Sequence, residues 1–206
     1  MIDVTDHFAL VPDFPVLDTR RLRLRQIGIE AVDWYLGHFS RPEIVVGTGF
    51  PAPGSREDAA RELQAYVIDP FEARTGIRWG VTSRESDVRI GSIGFYRWTD
   101  GPPALAELGY DLVPEHWGRG LMSEALAAVL AFGFGVMRLE RVMATVLPRN
   151  DRSIRLLERA GFAREGLLRE HGTDEHGRLT DEWLFVRAAS PRSPHRHTSI
   201  SDPTSR

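Results

Sequence analysis

The stretch Leu108, Gly109, Tyr110, Asp111, Leu112, Val113, Pro114, Glu115, His116, Trp117, Gly118, Arg119, Gly120, Leu121, Met122, Ser123, Glu124, Ala125 passes from an apolar run through a Gly- and Pro-containing turn into a long apolar segment. It reads as strand, turn and helix: Pro114 ends the strand, and the helix runs from Leu121 to Phe134, where Gly135 closes it. The first-turn N–H groups of such a helix have no intrahelical acceptor and point one way, so together with the helix dipole they suit an anion. Gly118 and Gly120 carry no Cβ to hold a bulky pyrophosphate away, and Arg119 adds a charge. A lone Gly-x-Gly more often just begins a helix. The turn is not a Walker loop, because no GK[ST] follows, and it lacks the third glycine of a dinucleotide fingerprint.

Working outward, Arg21 to Arg25 alternates Arg and Leu with the period of a half-buried strand. Ile29 to Phe39 has helical spacing, and Arg41 to Gly54, rich in Pro and Gly, reads as a long loop. A helix follows over Ser55 to Arg74, with Ser55 as N-cap and Asp58 three residues on. Ile77 to Thr82 and Val88 to Trp98 form a hairpin, and Ala104 to Val113 is the strand entering the turn. Beyond the apolar helix come a strand within Leu139 to Leu147, a short helix over Ser153 to Ala160 stopped by Gly161, and strands over Phe162 to Leu168 and Thr180 to Arg187. Strands grouped early, then strand, helix, strand, helix, strand, predict an α/β layer structure with a mixed sheet.

The 206 residues suit a single core. Hydrophobic residues at 42% and charged residues at 27% mark a globular chain rather than a disordered one. A formal charge of -3, with the arginines interleaved among carboxylates, supplies no basic field for DNA or RNA. The absence of cysteine removes disulfides, thiolate metal sites and thiol nucleophiles. The histidines form no metal set: His171 and His176 flank acidic residues in a loop, and His195 and His197 lie near the C-terminus. With no apolar run of membrane length and an acidic start, the chain reads as cytoplasmic. From Ser190 onward Ser, Pro, His and Arg dominate, which predicts a disordered tail.

A second segment gives the glycine turn its meaning. Pro148, Arg149, Asn150, Asp151, Arg152 and Ser153 lead into Leu156 and Leu157, then Gly161 and Phe162. With it the chain resembles the GNAT superfamily, and more closely its ribosomal-protein N-terminal acetyltransferase branch, the RimJ/RimL type. The matching pieces are a TxRLxLR strand at Thr19 to Arg25, GxIGF at Gly91 to Phe95 and AELGY at Ala106 to Tyr110. WGxG follows at Trp117 to Gly120, EAL at Glu124 to Leu126, PxNxxSxxLxxxGF at Pro148 to Phe162, and EG at Glu165 and Gly166. The resemblance implies one GNAT domain over residues 19–187 between an N-terminal extension, 1–18, and the tail, 188–206. It implies a mixed, mostly antiparallel sheet of about six to seven strands flanked by about four helices. The implied cosubstrate is acetyl-CoA, with no metal, and the implied partner an amine acceptor, either a peptide N-terminus or a small molecule. A homodimer is common in the branch, and neither nucleic acid nor membrane is expected.

By similarity, the backbone from Gly118 through Arg119, Gly120, Leu121 and Met122 to Ser123 would hold the CoA pyrophosphate. Trp117 stands where the wider superfamily has Gln or Arg, and Met122 where it has Gly or Ala. Leu112 would pair with the pantetheine arm, and the Tyr110 N–H would face the thioester carbonyl as an oxyanion donor. Gly109 would mark a bulge that splays the strand and makes room. Asn150 and Ser153 would reach the pantetheine from the other side, although Asn150 is also a good N-cap. Amine attack needs a neutral nucleophile, and Glu107, beside the oxyanion donor, is the candidate base; it also reads as an outward strand carboxylate paired with Arg. Many relatives place a tyrosine acid where this chain has Leu157, which leaves Ser153 as the nearby hydroxyl. That missing tyrosine motivates the rival reading of a CoA-binding regulatory module without catalysis. Acceptor choice falls to Arg41 to Gly54 and to the hairpin around His171 to Thr180, with Tyr96 and Trp98 lining the cavity. Trp34, Trp79 and Trp183 suit core or pocket walls.

Overall fold

The computed structural model describes residues 11–99, 104–174 and 176–189. One eight-stranded sheet has the order β1-β2-β3-β4-β5-β6-β8-β7. The strands are β1 (Leu17–Asp18), β2 (Leu22–Arg25), β3 (Ile77–Ser83), β4 (Arg89–Thr99), β5 (Leu105–Leu112), β6 (Arg141–Val146), β7 (Ala163–Thr173) and β8 (Leu179–Ala188). Every described pair is antiparallel except β5 and β6, which run parallel. The sheet is thus a little wider than expected, because Leu17–Asp18 of the N-terminal extension pairs with β2. The predicted tail from Ser190 lies outside the described residues, as does the side chain of Trp98.

Helices cover both faces of the sheet. Leu22 and Leu24 of β2 are fully buried while Arg23 is exposed, as the alternation requires. On one face they pack with Trp79, Phe95, Ala106 and Leu108 against α5 (Leu121–Gly135), through Leu121, Ala125, Leu126 and Val129. On the other, Val32 and Tyr35 of α1 (Val32–Phe39) meet Ala59 and Leu63 of α3 (Arg56–Leu63). The cap on α3 is the expected one: Ser55 Oγ accepts from the Asp58 N–H at 3.0 Å. A π-helical turn, Gln64–Ile68, carries α3 into α4 (Asp69–Glu72), so the predicted Ser55–Arg74 helix is one body with an irregular middle. Trp79 is fully buried, its indole N–H satisfied by the Pro15 carbonyl at 2.7 Å.

The segment expected to be a loop, Arg41 to Gly54, contains a further helix, α2 (Pro42–Thr48). Pro42 takes the first helical turn, where its missing N–H costs nothing, and Gly49 ends the helix in the left-handed conformation at φ 75°. The Pro and Gly that suggested a loop are therefore the start and stop of a short helix. With α6 (Asp151–Arg159), the helical bodies flanking the sheet number five among the described residues, against about four predicted.

Candidate active site

The sheet forks at the site. Parallel pairing of β5 with β6 covers only Leu105 to Glu107 opposite Arg141 to Met143, and beyond Glu107 the two strands part. Gly109 is not the cause, because it pairs regularly with Gly94 and carries no bulge. What Gly109 does is leave space: a Cβ there would lie 2.9 Å from Cε1 of Tyr96. The phase of the β4–β5 ladder follows from the Val113 N–H donating to the Ile90 carbonyl at 2.9 Å. With Gly91 opposite Leu112, the N–H and C=O groups of Tyr110 and Leu112 must point away from β4, into the fork. The Leu112 carbonyl there accepts from Trp117 Nε1 at 2.6 Å, so this end of β5 is tied to the glycine turn.

In that turn Gly118 and Gly120 sit at φ 71° and 70°, in the left-handed region. Their Cβ positions have no close neighbour, so glycine is required here for backbone conformation more than for space. Among the described residues the N–H groups of residues 118–123 meet no acceptor, the first helical bond being Glu124 N–H to the Gly120 carbonyl. Arg21 Nη1 donates to the Arg119 carbonyl at 2.9 Å. In a planar trans peptide the Gly120 N–H points opposite to that carbonyl, so Arg21 holds it outward from β2. Arg21 is itself fixed by Glu124 of α5, which accepts from the Arg21 backbone N–H and Nε, both at 2.7 Å, and from Thr19 Oγ1 at 2.6 Å. These bonds outweigh the effect of burial and hold the Glu124 carboxyl below its usual range. The Arg119 side chain does not line the cleft. Arg152, Arg155 and Arg159 of α6, not anticipated from sequence, do so, and Arg152 stacks on Trp117 with 4.3 Å from guanidinium carbon to ring centre.

Across the fork, Asn150 caps α6 by accepting from the Ser153 N–H at 3.1 Å, and its Nδ2 donates to the Gly47 carbonyl at 3.1 Å. Asn150 therefore acts as a cap and as a strut beneath α2, and its second Nδ2 hydrogen is left for a ligand in the cleft that it lines. Leu157 is fully buried in the core and faces away from the cleft. A tyrosine is nevertheless present from another element: the Tyr110 side chain spans the fork, and its hydroxyl hydrogen-bonds that of Ser153. Burial pushes the Tyr110 hydroxyl up, more than the Ser153 bond pulls it down, so it stays protonated at neutral pH.

Glu107 stands at the last rung before the fork, 6% exposed. It accepts from Tyr96 Oη at 3.0 Å and from Thr145 Oγ1 at 3.5 Å, and Arg97 Nη1 is 3.8 Å away. Asp111, on the same face of β5, is fully buried. It takes hydrogen bonds from Arg78 Nη2 at 2.6 Å and from the Ser92 N–H at 2.9 Å, and is hydrogen-bonded to His38 Nε2 at 2.6 Å. Burial alone would raise its pKa, but the His38 bond and charge, Arg78 and Ser92 together bring it down to about 2.

These groups open on a single cleft of about 1820 Å³ that runs from Gly118 and Ser123, past Tyr110 and Glu107, to α2 and the β7–β8 hairpin. Its lining carries charges of both signs: Arg149, Arg152, Arg155 and Arg159 lie on or beside α6, Arg78 and Arg97 come from β3 and β4, and Glu43, Glu62, Glu107 and Glu182 come from α2, α3, β5 and β8. No group of three His, Asp or Glu side chains suited to a metal occurs among the described residues, and no described helix is long and apolar enough to cross a membrane.

The acetyltransferase (GNAT) domain model matches residues 21–163, and the chain belongs to that family. It is a GNAT N-acetyltransferase, and about half of it is similar in sequence to a RimJ/RimL-type enzyme. It is 37% identical over 158 residues to the uncharacterized N-acetyltransferase YoaA of Bacillus subtilis, spanning 77% of this chain and 88% of that one. To the Escherichia coli ribosomal protein uS5-alanine N-acetyltransferase it is 35% identical over 106 residues, 51% of this chain and 55% of that one. Among solved structures, the ribosomal-protein-S5-alanine acetyltransferase of Vibrio fischeri superposes with a TM-score of 0.74 at 21% identity, covering 87% of this chain and 100% of the other. Mycobacterium smegmatis RimJ, in complex with CoA-disulfide, gives 0.74 at 20% identity over 87% and 89%. Identities that low speak for the fold alone.

Proposed function

We propose that the protein transfers acetyl from acetyl-CoA directly to a primary amine, with both substrates in the cleft at once. The observation that carries this reading is the convergence at the fork of an outward Tyr110 N–H, the Tyr110 and Ser153 hydroxyls, and the Glu107 carboxylate, all beside unpaired amides at the start of α5. The cradle suits the CoA pyrophosphate: glycines in the left-handed region, free N–H groups, a helix dipole, and the arginines of α6 along the adjoining wall. Acetyl-CoA supplies the activated thioester. Residues 118–123 would hold its phosphates, and the Tyr110 N–H would stabilise the charge that develops on the acyl oxygen. Glu107 would take the proton of the attacking amine, with Tyr96 orienting the carboxylate. The Tyr110–Ser153 hydroxyl pair would hydrogen-bond the departing sulfur.

The idea of a catalytically silent module rested on Leu157, and the Tyr110 hydroxyl on the opposite wall weakens it. Gly120→Glu sets a carboxylate where the phosphates should lie and forces a non-glycine residue into φ 70°. Calorimetry should show acetyl-CoA affinity falling at least about tenfold in the folded variant. Unchanged affinity would remove the cradle from the account.

A further inference from the structure

The helix α2 is fastened at both ends to other walls of the cleft. At its start, Arg41 Nη2 donates to the carboxylate of Glu115, two residues before Trp117 and the glycine turn. At its end, the Gly47 carbonyl has no helical N–H to accept from, because the fourth residue on is Pro51. Asn150 takes that place from α6: Nδ2 donates to Gly47 at 3.1 Å while Oδ1 caps α6 at 3.1 Å. Just beyond, Gly49 sits at φ 75° against the β7–β8 hairpin, where a Cβ would lie 2.3 Å from the Thr173 carbonyl oxygen, and Thr173 Oγ1 donates to the Gly49 carbonyl at 3.5 Å. No side chain can enter that contact without moving α2 or the hairpin. Between these fastenings α2 lines the cleft with Ile44, Val46 and Thr48. Glu107 shares its face of β5 with Asp111, which meets His38 of α1 there, so the carboxylate faces the α1 side of the sheet, opposite α5. An amine delivered to Glu107 therefore arrives on the face where α1 leads into α2.

We propose that α2 is a strap walling the acceptor end of the cleft, and that Asn150 is a positioning residue for the acceptor amine, its Nδ2 hydrogen bond holding the strap in place. The assignment rests on the acetyl transfer proposed above. One amide then fixes two walls: the same side chain caps α6 through the N–H of Ser153, whose hydroxyl meets that of Tyr110 across the fork. Asn150→Asp separates the two duties. Asp is as good an N-cap as Asn, so α6 keeps its start. Its carboxylate has no hydrogen to give the Gly47 carbonyl, so acceptor faces acceptor and that end of α2 is released.

The test compares wild type, Asn150→Asp and Gly49→Ala, with benzylamine, putrescine or trialanine as acceptor, whichever reacts fastest. Asn150→Asp should raise the acceptor KM by about 3- to 10-fold, the range of one net hydrogen bond. Gly49→Ala, which pushes α2 off the hairpin, should raise it as well while leaving the acetyl-CoA Kd at the wild-type value by calorimetry. In the double variant the two effects should not multiply, because both changes release the same end of α2. Hydrogen exchange supplies a readout that needs no acceptor: amides of residues 42–49 should exchange several-fold faster in Asn150→Asp, while those of residues 151–159 keep their protection because the cap survives. A lower melting temperature with wild-type acceptor KM in the folded variants, or unaltered exchange in α2, would overturn the assignment and leave acetyl transfer intact. A raised acetyl-CoA Kd in Asn150→Asp with wild-type acceptor KM would also overturn it, giving the amide to the cosubstrate instead. Acetylation of no amine at all would sink acetyl transfer, and the assignment with it.

Discussion

At the scale of single residues, Glu107 carries the sharpest expectation. Its carboxylate has three polar neighbours, Tyr96, Thr145 and Arg97, which could serve a base or merely satisfy a buried acid. Glu107→Gln keeps the shape and removes the proton acceptor, so turnover should fall by roughly two to four orders of magnitude at neutral pH with little change in acetyl-CoA affinity. The deficit should narrow as pH rises, since more of the acceptor amine is then neutral unaided. A purely structural Glu107 gives another pattern, a lower melting temperature with wild-type turnover at every pH. The residue was legible in the sequence because it sits three positions before Tyr110 in a strand whose meaning was clear. Asn150 was legible only by half. Its cap followed from Asn three residues before Ser153, but the bond to Gly47 joins positions 103 residues apart, and no local pattern announces it. The Arg78–Asp111 ion pair went unread for a similar reason, since only the sheet register brings β3 within reach of β5.

At the scale of elements, the glycine turn was read correctly as strand, turn and helix, and the structure adds what holds it. The Thr19–Arg21 end of β2 and Glu124 of α5 look unrelated in sequence, yet they form one clamp whose outer finger reaches the Arg119 carbonyl. Arg21→Met should leave the fold in place, because the Arg21 side chain is 37% exposed and surface ion pairs contribute little. It should nevertheless raise the acetyl-CoA Kd by about tenfold, or about 1.4 kcal/mol, through a less ordered Gly120 amide. Calorimetry beside a melting curve checks both halves, and an unaltered Kd would mean the turn holds its shape without the clamp. The element that pattern reading missed was α2, seven residues between Pro42 and Thr48, too short for helical periodicity to outweigh its Pro and Gly. The fork itself was expected for the wrong reason. No bulge at Gly109 opens it; the parallel pairing of β5 and β6 simply stops after Glu107, and the Tyr110 side chain crosses the gap that results.

At the scale of the whole molecule, the buried cluster of Asp111, His38, Arg78 and Ser92 links α1, β3, β4 and β5 and should govern acid stability. The folded carboxyl titrates at about 2 against an ordinary 3.8. Because the folded value is the lower, its stabilisation is full above the ordinary value and is lost as pH falls from there through about 2. Asp111→Asn should cost about 3–5 kcal/mol at neutral pH, the usual penalty for breaking a buried ion pair, and should flatten the acid limb of a melting-temperature profile. An acid limb identical to wild type would show that other carboxylates control it. The same molecule presents one cleft in which the arginines of α6 line a wall beside the glycine turn while the Glu107 carboxylate stands at the fork, an arrangement suited to an anionic acyl carrier and an amine meeting there. The most direct test of that account follows both products of one reaction, with acetyl-CoA offered beside a panel of primary amines and short peptides. Thiol release should depend on the amine and match the acetylated amine one for one. Tight acetyl-CoA binding with no acetylated product from any amine in the panel would contradict it.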